Sequence, residues 1–261
     1  MECLRLTLYP SLVLALVEER GGKYVKAFGA WKGIDVASSP ELSGDWYSPW
    51  RYVGDADGRL ADAVHPLLEI YGDCLGLSIS PRDAGLLFVV AFLTQNTSYH
   101  VNVLRWARAL FSQSEDLGRI AEEAPRVGNS YQLRRLPAAV RAYLELRPAA
   151  RRELMQIPGV GPKTADVYLL FTGDSTAAPV DKHFLRTASR LGLPGGPPRP
   201  ELCRRYGDCS RCPFAARCLR AVAERGLGRL AGWVQTATYL YDKGISPRAF
   251  GEGASPRPSR I

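Results

Sequence analysis

Four cysteines crowd into one stretch of this sequence, Cys203, Cys209, Cys212 and Cys218, spaced C-x5-C-x2-C-x5-C. Four thiolates so placed suit a [4Fe-4S] cubane or a tetrahedral zinc ion, and spacing alone leaves both open. A second candidate is a lysine. Arginine supplies 28 of the 34 cationic side chains and lysine only six (Lys23, Lys26, Lys32, Lys163, Lys182 and Lys243). A lysine is therefore mildly informative here, because only lysine can shed its proton and act as an amine. Lys163 follows Pro158-Gly159-Val160-Gly161 and stands in the first turn of a helix that opens at Pro162. The positive end of the helix dipole disfavours an ammonium there and so favours the nucleophilic amine. Such an amine can attack a sugar carbon, form a Schiff base and permit elimination. Asp181 follows 18 residues later (181 − 163) at the start of a further helix. A carboxylate at that position can take the amine's proton or stabilise a cationic sugar, though taken alone it reads as an ordinary N-cap.

The elements that must hold these groups are mainly helical. Residues 154–171, LMQIPGVGPKTADVYLLF, read as a helix, a tight turn and a second helix. In this helix-hairpin-helix the amides of Gly159, Val160 and Gly161 can approach a phosphate without reading sequence. Hydrophobic periodicity predicts helices at 59–72, 81–94, 99–112, 115–123, 136–145, 148–156, 162–171 and 182–192. Ser80 is expected to cap the second of these, with Pro81 at its first position and Asp83 in its first turn. Before them, LRLTLYP and SLVLALVEE alternate apolar and polar residues, and the chain turns at Arg20-Gly21-Gly22. That pattern predicts a small antiparallel sheet, followed by a loop over 38–58. The expected organisation is an N-terminal β-rich segment (1–58), a helical core (59–193), the cysteine loop with a C-terminal helix (194–245) and a flexible tail (246–261).

IPGVGPKTADVYLL, with VDKHFLR following at the 18-residue interval, resembles the signature of the helix-hairpin-helix glycosylase superfamily, and lysine with aspartate resembles its bifunctional branch. The resemblance implies the fold of that superfamily, two helical lobes with a hairpin and a cluster loop, here with the small β segment added. It implies Lys163 as the Schiff-base nucleophile and Asp181 as the catalytic aspartate. The cysteine loop is similar to that of endonuclease III, one residue shorter in its first gap, and so implies a [4Fe-4S] cluster on the four cysteines. FLTQNTSYHVN (92–102) resembles the segment whose glutamine fills the space left by an extruded base, which gives that role to Gln95. Lys182 and Arg211 are expected to touch DNA, and Arg204, Arg205, Arg217 and Arg220 to rim the cysteine loop against its phosphates.

The resemblance implies a bifunctional glycosylase and abasic-site lyase of base excision repair. Ala91 stands where the adenine-removing relatives carry a catalytic glutamate, which disfavours adenine removal; Lys163 argues against the monofunctional members, so the resemblance to endonuclease III makes an oxidised pyrimidine the leading substrate. Ser98, in place of an aspartate common in endonuclease III, and the N-terminal sheet point instead to an oxidised purine such as 8-oxoguanine. A non-catalytic DNA-binding protein is the reading from another class. The net charge of +8 suits a polyanionic partner, duplex DNA carrying a damaged base or abasic site. The longest apolar run, 84–93, is about half of what a bilayer span needs, and the N-terminus lacks signal-peptide order. A cytoplasmic monomer is expected.

Overall fold

The computed structural model describes residues 2–250. Its centre is the helix that the sequence marks as apolar on every side. In α4 (Ala84–Leu93) every residue from Leu86 to Leu93 is buried, as a helix without a polar face must be. Around it pack α5 (Leu104–Gln113), α7 (Tyr131–Leu146) and α9 (Pro162–Phe171), with α6 (Leu117–Val127) lying along α7. The outer helices include α3 (Gly58–Tyr71), α10 (Lys182–Arg190), α12 (Leu219–Leu227) and α13 (Ala231–Asp242). Short helices α1 (Glu2–Leu8), α2 (Pro40–Ser43), α8 (Arg151–Leu154) and α11 (Pro200–Tyr206) complete the set. One apolar core runs from Leu6 to Leu240 and draws on the first three of the four expected segments.

The N-terminal reading is corrected in part. Among the described residues the only sheet is β1 (Val17–Arg20) against β2 (Lys23–Lys26), antiparallel around Gly21 and Gly22 as expected. LRLTL of LRLTLYP, however, lies in α1, and Leu12–Leu16 form a 3-10 turn capped by Ser11. Leu6 joins the main core, Leu8 a small cluster with Val13, Val17, Val36 and Leu42, and Thr7 bonds Cys74 and Gly76. Three successive residues thus meet three different partners. A helix turns them so, whereas a strand offers two faces. A disulfide joins Cys3 to Cys74, two cysteines that stand alone in the sequence.

Four other expectations change. Residues 38–58 are not all loop but hold α2 and short 3-10 turns. The helix expected at 148–156 shrinks to α8 because the turn into the hairpin begins at Met155. The end of the tail, 251–261, lies outside the described residues; Pro247–Phe250 form a 3-10 turn against α1. Finally, Ser80 makes no capping bond, and its hydroxyl donates to Asp83 instead.

Asp83 serves a tertiary contact rather than the helix dipole. It forms an ion pair with Lys26 in which both side chains are almost wholly buried, and its Oδ1 accepts the Ala30 amide at 2.6 Å. Lys26 also donates to the Ala30 carbonyl at 3.1 Å. Gly29, at φ +81°, passes so close that a Cβ would lie 2.0 Å from Asp83 Oδ1. This pair fastens the β hairpin to the entry of α4. Lys26→Met should cost about 3–5 kcal/mol in urea unfolding, since it strands a buried carboxylate. Adding Asp83→Asn should recover part of the loss; a neutral single variant would show that the pair is dispensable.

Candidate active site

The hairpin is built from α8, the turn Met155–Gly161 and α9. Gly159 adopts φ +84° with the Phe92 ring of α4 beneath it, 3.1 Å from where a Cβ would stand, so the fold itself requires glycine. A Cβ on Gly161 would meet nothing, so its glycine answers no contact within the protein. Val160 turns into the core, and its amide is already bonded to the Ile157 carbonyl at 3.0 Å. Gly161 supplies no side chain to cap α9, and among the described residues none accepts the amides of Gly159, Gly161, Lys163 or Thr164. Four donors therefore stand unpaired around one turn. An open groove at Gly159, the first of the four, is lined by Arg152, Gln156, Pro158 and Arg204 as well.

Lys163 is exposed in the first turn of α9, and among the described residues its ammonium has no hydrogen bond or ion pair. Asp181 is half-buried as the N-cap of α10. Its Oδ1 accepts both the His183 amide at 3.0 Å and the Phe184 amide at 2.8 Å, which leaves Oδ2 without a bond among the described residues. No direct bond joins the two, and Lys182 beside Asp181 is exposed. Gln95 sits in the turn after α4, just before Asn96 at φ +46°. Its side chain donates to the Phe92 carbonyl, and its own carbonyl accepts from Tyr131 and Gln132. The backbone is pinned while the side chain is held by one bond only. Phe92 links this turn to the hairpin, since its ring also supports Gly159. A π-helical turn, Tyr99–Val103, follows.

The sequence reading left α13 without a role, and the structure sets it beside Asp181. Tyr239 packs edge-on against His183 at 5.1 Å between ring centres. Burial raises the Tyr239 hydroxyl above its ordinary value, and the neighbouring Tyr9 and Asp181 add to the shift. Gln235, one turn earlier on the same face, is nearly buried, and its side-chain amide bonds no described residue. His183 Nδ1 lies 2.6 Å from Asp242 Oδ2, which Arg186 also reaches at 2.9 Å, so the helix bearing Asp181 is tied to the end of α13. Tyr9 stacks on His100 at 3.9 Å, and burial holds His100 down to about 4, with Lys243 adding to the effect. The sequence predicts a C-terminal helix within 194–245, and only tertiary packing sets that helix beside Asp181.

The four cysteines line one cavity, with Arg151, Arg199 and Phe214 among its other walls. None forms a disulfide. Among the described residues no three Cys, His, Asp or Glu side chains are gathered closely enough to hold a metal ion as they stand. Burial pushes the Cys209 thiol up to about 11, against the opposing pull of Arg220, and also raises Cys203. Four thiols around a shared cavity are a donor set that either a [4Fe-4S] group or a zinc ion could take, and Cys203 and Cys209 face guanidinium donors. Arg211, Arg204, Arg205 and Arg217 are exposed on the loop as expected. Arg220 is not: it is 4% exposed and points inward to Asp166 and Cys209.

The helix-hairpin-helix motif family matches residues 142–167, from the last turns of α7 into α9. Among solved structures, MBOgg1 in complex with a low-affinity DNA ligand superposes with a TM-score of 0.61 at 16% identity, covering 92% of each chain. The Clostridium acetobutylicum 8-oxoguanine glycosylase/lyase, bound to duplex DNA with cytosine opposite 8-oxoguanine, gives 0.61 at 12% identity over 91% of this chain and 92% of that one. Its apo form gives 0.59 at 12% identity over 90% and 92%. The fold is that of the helix-hairpin-helix glycosylases. No curated protein matches the chain. The helix-hairpin-helix glycosylase fold here extends across nearly all of the sequence, the N-terminal segment included, since over nine-tenths of each chain superposes. No helix among the described residues is long and apolar enough to cross a membrane.

Proposed function

We propose that this protein is a DNA glycosylase with abasic-site lyase activity that removes an oxidised purine of the 8-oxoguanine kind from duplex DNA. The observation that carries the reading is an exposed, unpartnered Lys163 beside four unpaired hairpin amides. Its fold is shared with 8-oxoguanine glycosylase/lyases. The oxidised pyrimidine favoured by the sequence reading finds no support among these neighbours, whereas its alternative does.

The steps follow from the chain's own groups. The hairpin amides hold the backbone phosphate and fix the register of the duplex. Gln95 leaves the Phe92 carbonyl to fill the gap in the stack, while the extruded base enters beside Tyr239 and Gln235, an aromatic face next to an amide with both donor and acceptor. Asp181 Oδ2 takes a proton from the Lys163 ammonium. The free amine forms a bond to C1′ as the bond to the base breaks, and the base leaves with a proton. The bound nitrogen then gives up a proton as its lone pair breaks the C1′–O4′ bond, and that proton goes to O4′; the resulting ring-opened imine loses a proton from C2′, and the 3′ phosphate departs with the electron pair. Lys182 and Arg211, both exposed, would add phosphate contacts. Cys203, Cys209, Cys212 and Cys218 would hold a [4Fe-4S] group, which when bound anchors the loop and takes no part in the reaction above.

Borohydride trapping on duplexes carrying 8-oxoguanine, thymine glycol, uracil or an abasic site tests the reading. A covalent adduct is expected with 8-oxoguanine and with the abasic site. An adduct with thymine glycol in place of 8-oxoguanine would restore the pyrimidine reading, and one with the abasic site alone would leave a lyase without base removal. Binding with no adduct would leave a non-catalytic DNA-binding protein. Visible absorbance of the iron-sulfur type, with iron and sulfide in equal amounts, tests the cluster; zinc in its place would overturn it.

A further inference from the structure

Three buried charges that take no part in the reaction occupy the joint between the hairpin and the cysteine loop. Asp166 is fully buried on α9, three residues after Lys163. From α8 it receives Arg151 Nε at 2.6 Å and Nη2 at 3.2 Å, and from α12 it receives Arg220 Nε at 3.3 Å. Both arginines are themselves buried, and each also directs a guanidinium nitrogen toward a cysteine. Arg151 Nη2 lies 3.9 Å from Cys203 Sγ and Arg220 Nη1 lies 2.9 Å from Cys209 Sγ. Glu224, one-third exposed, pairs with Arg220, and Arg225 donates to the Cys209 carbonyl.

Tying α8 to α9 would need one arginine, and burying a second guanidinium is costly unless its donors are used. A neutral thiol is a weak acceptor, whereas a thiolate that ligates a metal is a strong one. Donors aimed at two of the four sulfurs are therefore of most use when those sulfurs are thiolates. Each arginine then spans from a cluster ligand to the same carboxylate, and that carboxylate belongs to the helix whose first turn presents Lys163 and the open amides.

We propose that Asp166 is a positioning residue, which through Arg151 and Arg220 couples the occupied cysteine site to the set of the hairpin and so to its grip on DNA. The inference rests on the cluster reading above. Loss of the group leaves both guanidiniums facing neutral thiols, and the hairpin helices lose a fixed abutment.

The test compares the holoprotein with Asp166→Asn, Arg220→Lys and wild type stripped by ferricyanide with a chelator. Affinity is read on a duplex carrying a tetrahydrofuran abasic analogue, alongside iron, sulfide and visible absorbance. Losing hydrogen bonds to a charged group predicts about tenfold weaker binding for Asp166→Asn at full iron content. Stripped wild type should weaken equally, and stripping Asp166→Asn should add nothing. Arg220→Lys keeps the charge but cannot reach both Asp166 and Cys209, so it should follow Asp166→Asn. The proposal is overturned by stripped wild type that binds as the holoprotein does, by losses that add, or by Arg220→Lys that binds normally. The stripping arm holds even if a variant fails to fold. Wild type isolated without iron and sulfide removes the cluster reading itself and the proposal with it, an outcome distinct from an iron-loaded protein indifferent to stripping.

Discussion

Lys163→Ala is expected to abolish the borohydride-trapped adduct on every duplex while leaving DNA binding and stability close to wild type. The expectation of an intact fold comes from the site. Lys163 is exposed and bonds no described residue, and alanine is the best helix former for its place in the first turn of α9. A substitution of that kind changes stability by roughly 0.5 kcal/mol or less. The unpaired amides that would hold phosphate belong to the backbone and survive the change. Lys163→Arg sharpens the experiment, because the guanidinium keeps the charge but cannot serve as an amine nucleophile. Both variants should bind a tetrahydrofuran duplex, and neither should be trapped. If Lys163→Ala still forms the adduct, the nucleophile lies elsewhere. Lys182, exposed next to Asp181, is then the first residue to replace.

The parts of this site that could be read from sequence are those whose physics is local. Proline and two glycines mark the hairpin turn, the lysine and aspartate keep their interval across one helix and a loop, and four cysteines lie within 16 positions (203–218). Each is a short-range pattern that survives without knowledge of the partner surfaces. The misreadings share the opposite property. LRLTLYP alternates as a strand would, yet Leu6, Thr7 and Leu8 each find a different distant partner, so a helix wins. Asp83 looks like a residue placed for the helix dipole, but Lys26, 57 positions earlier, claims it. Arg220 is indistinguishable from its exposed neighbours in sequence and proves to be a buried bridge. Tyr239 and Gln235 lie beyond the last cysteine, where no local pattern connects them to Asp181, although α10 and α13 pack together.

Asp181→Asn separates the two readings of this residue more cleanly than alanine would. As an N-cap, asparagine is as good as aspartate, so the bonds that Oδ1 accepts from the His183 and Phe184 amides should persist and α10 should keep its start. What disappears is the negative charge at Oδ2, the oxygen that bonds no described residue. If that oxygen takes the proton from Lys163, base removal in single turnover on an 8-oxoguanine duplex should fall by about 10²–10⁴, the usual worth of a positioned general base. Trapping at a preformed abasic site should fall much less, because no bond to a base has to break and an aldehyde is the better electrophile. Equal losses on both substrates, with an unchanged melting temperature, would mean that Asp181 serves imine formation rather than base departure. An unimpaired variant would leave Asp181 a helix cap and nothing more. The free amine of Lys163 would then need another proton acceptor, and Tyr239, on the helix packed beside Asp181, is a poor one because burial and its surroundings keep its hydroxyl protonated.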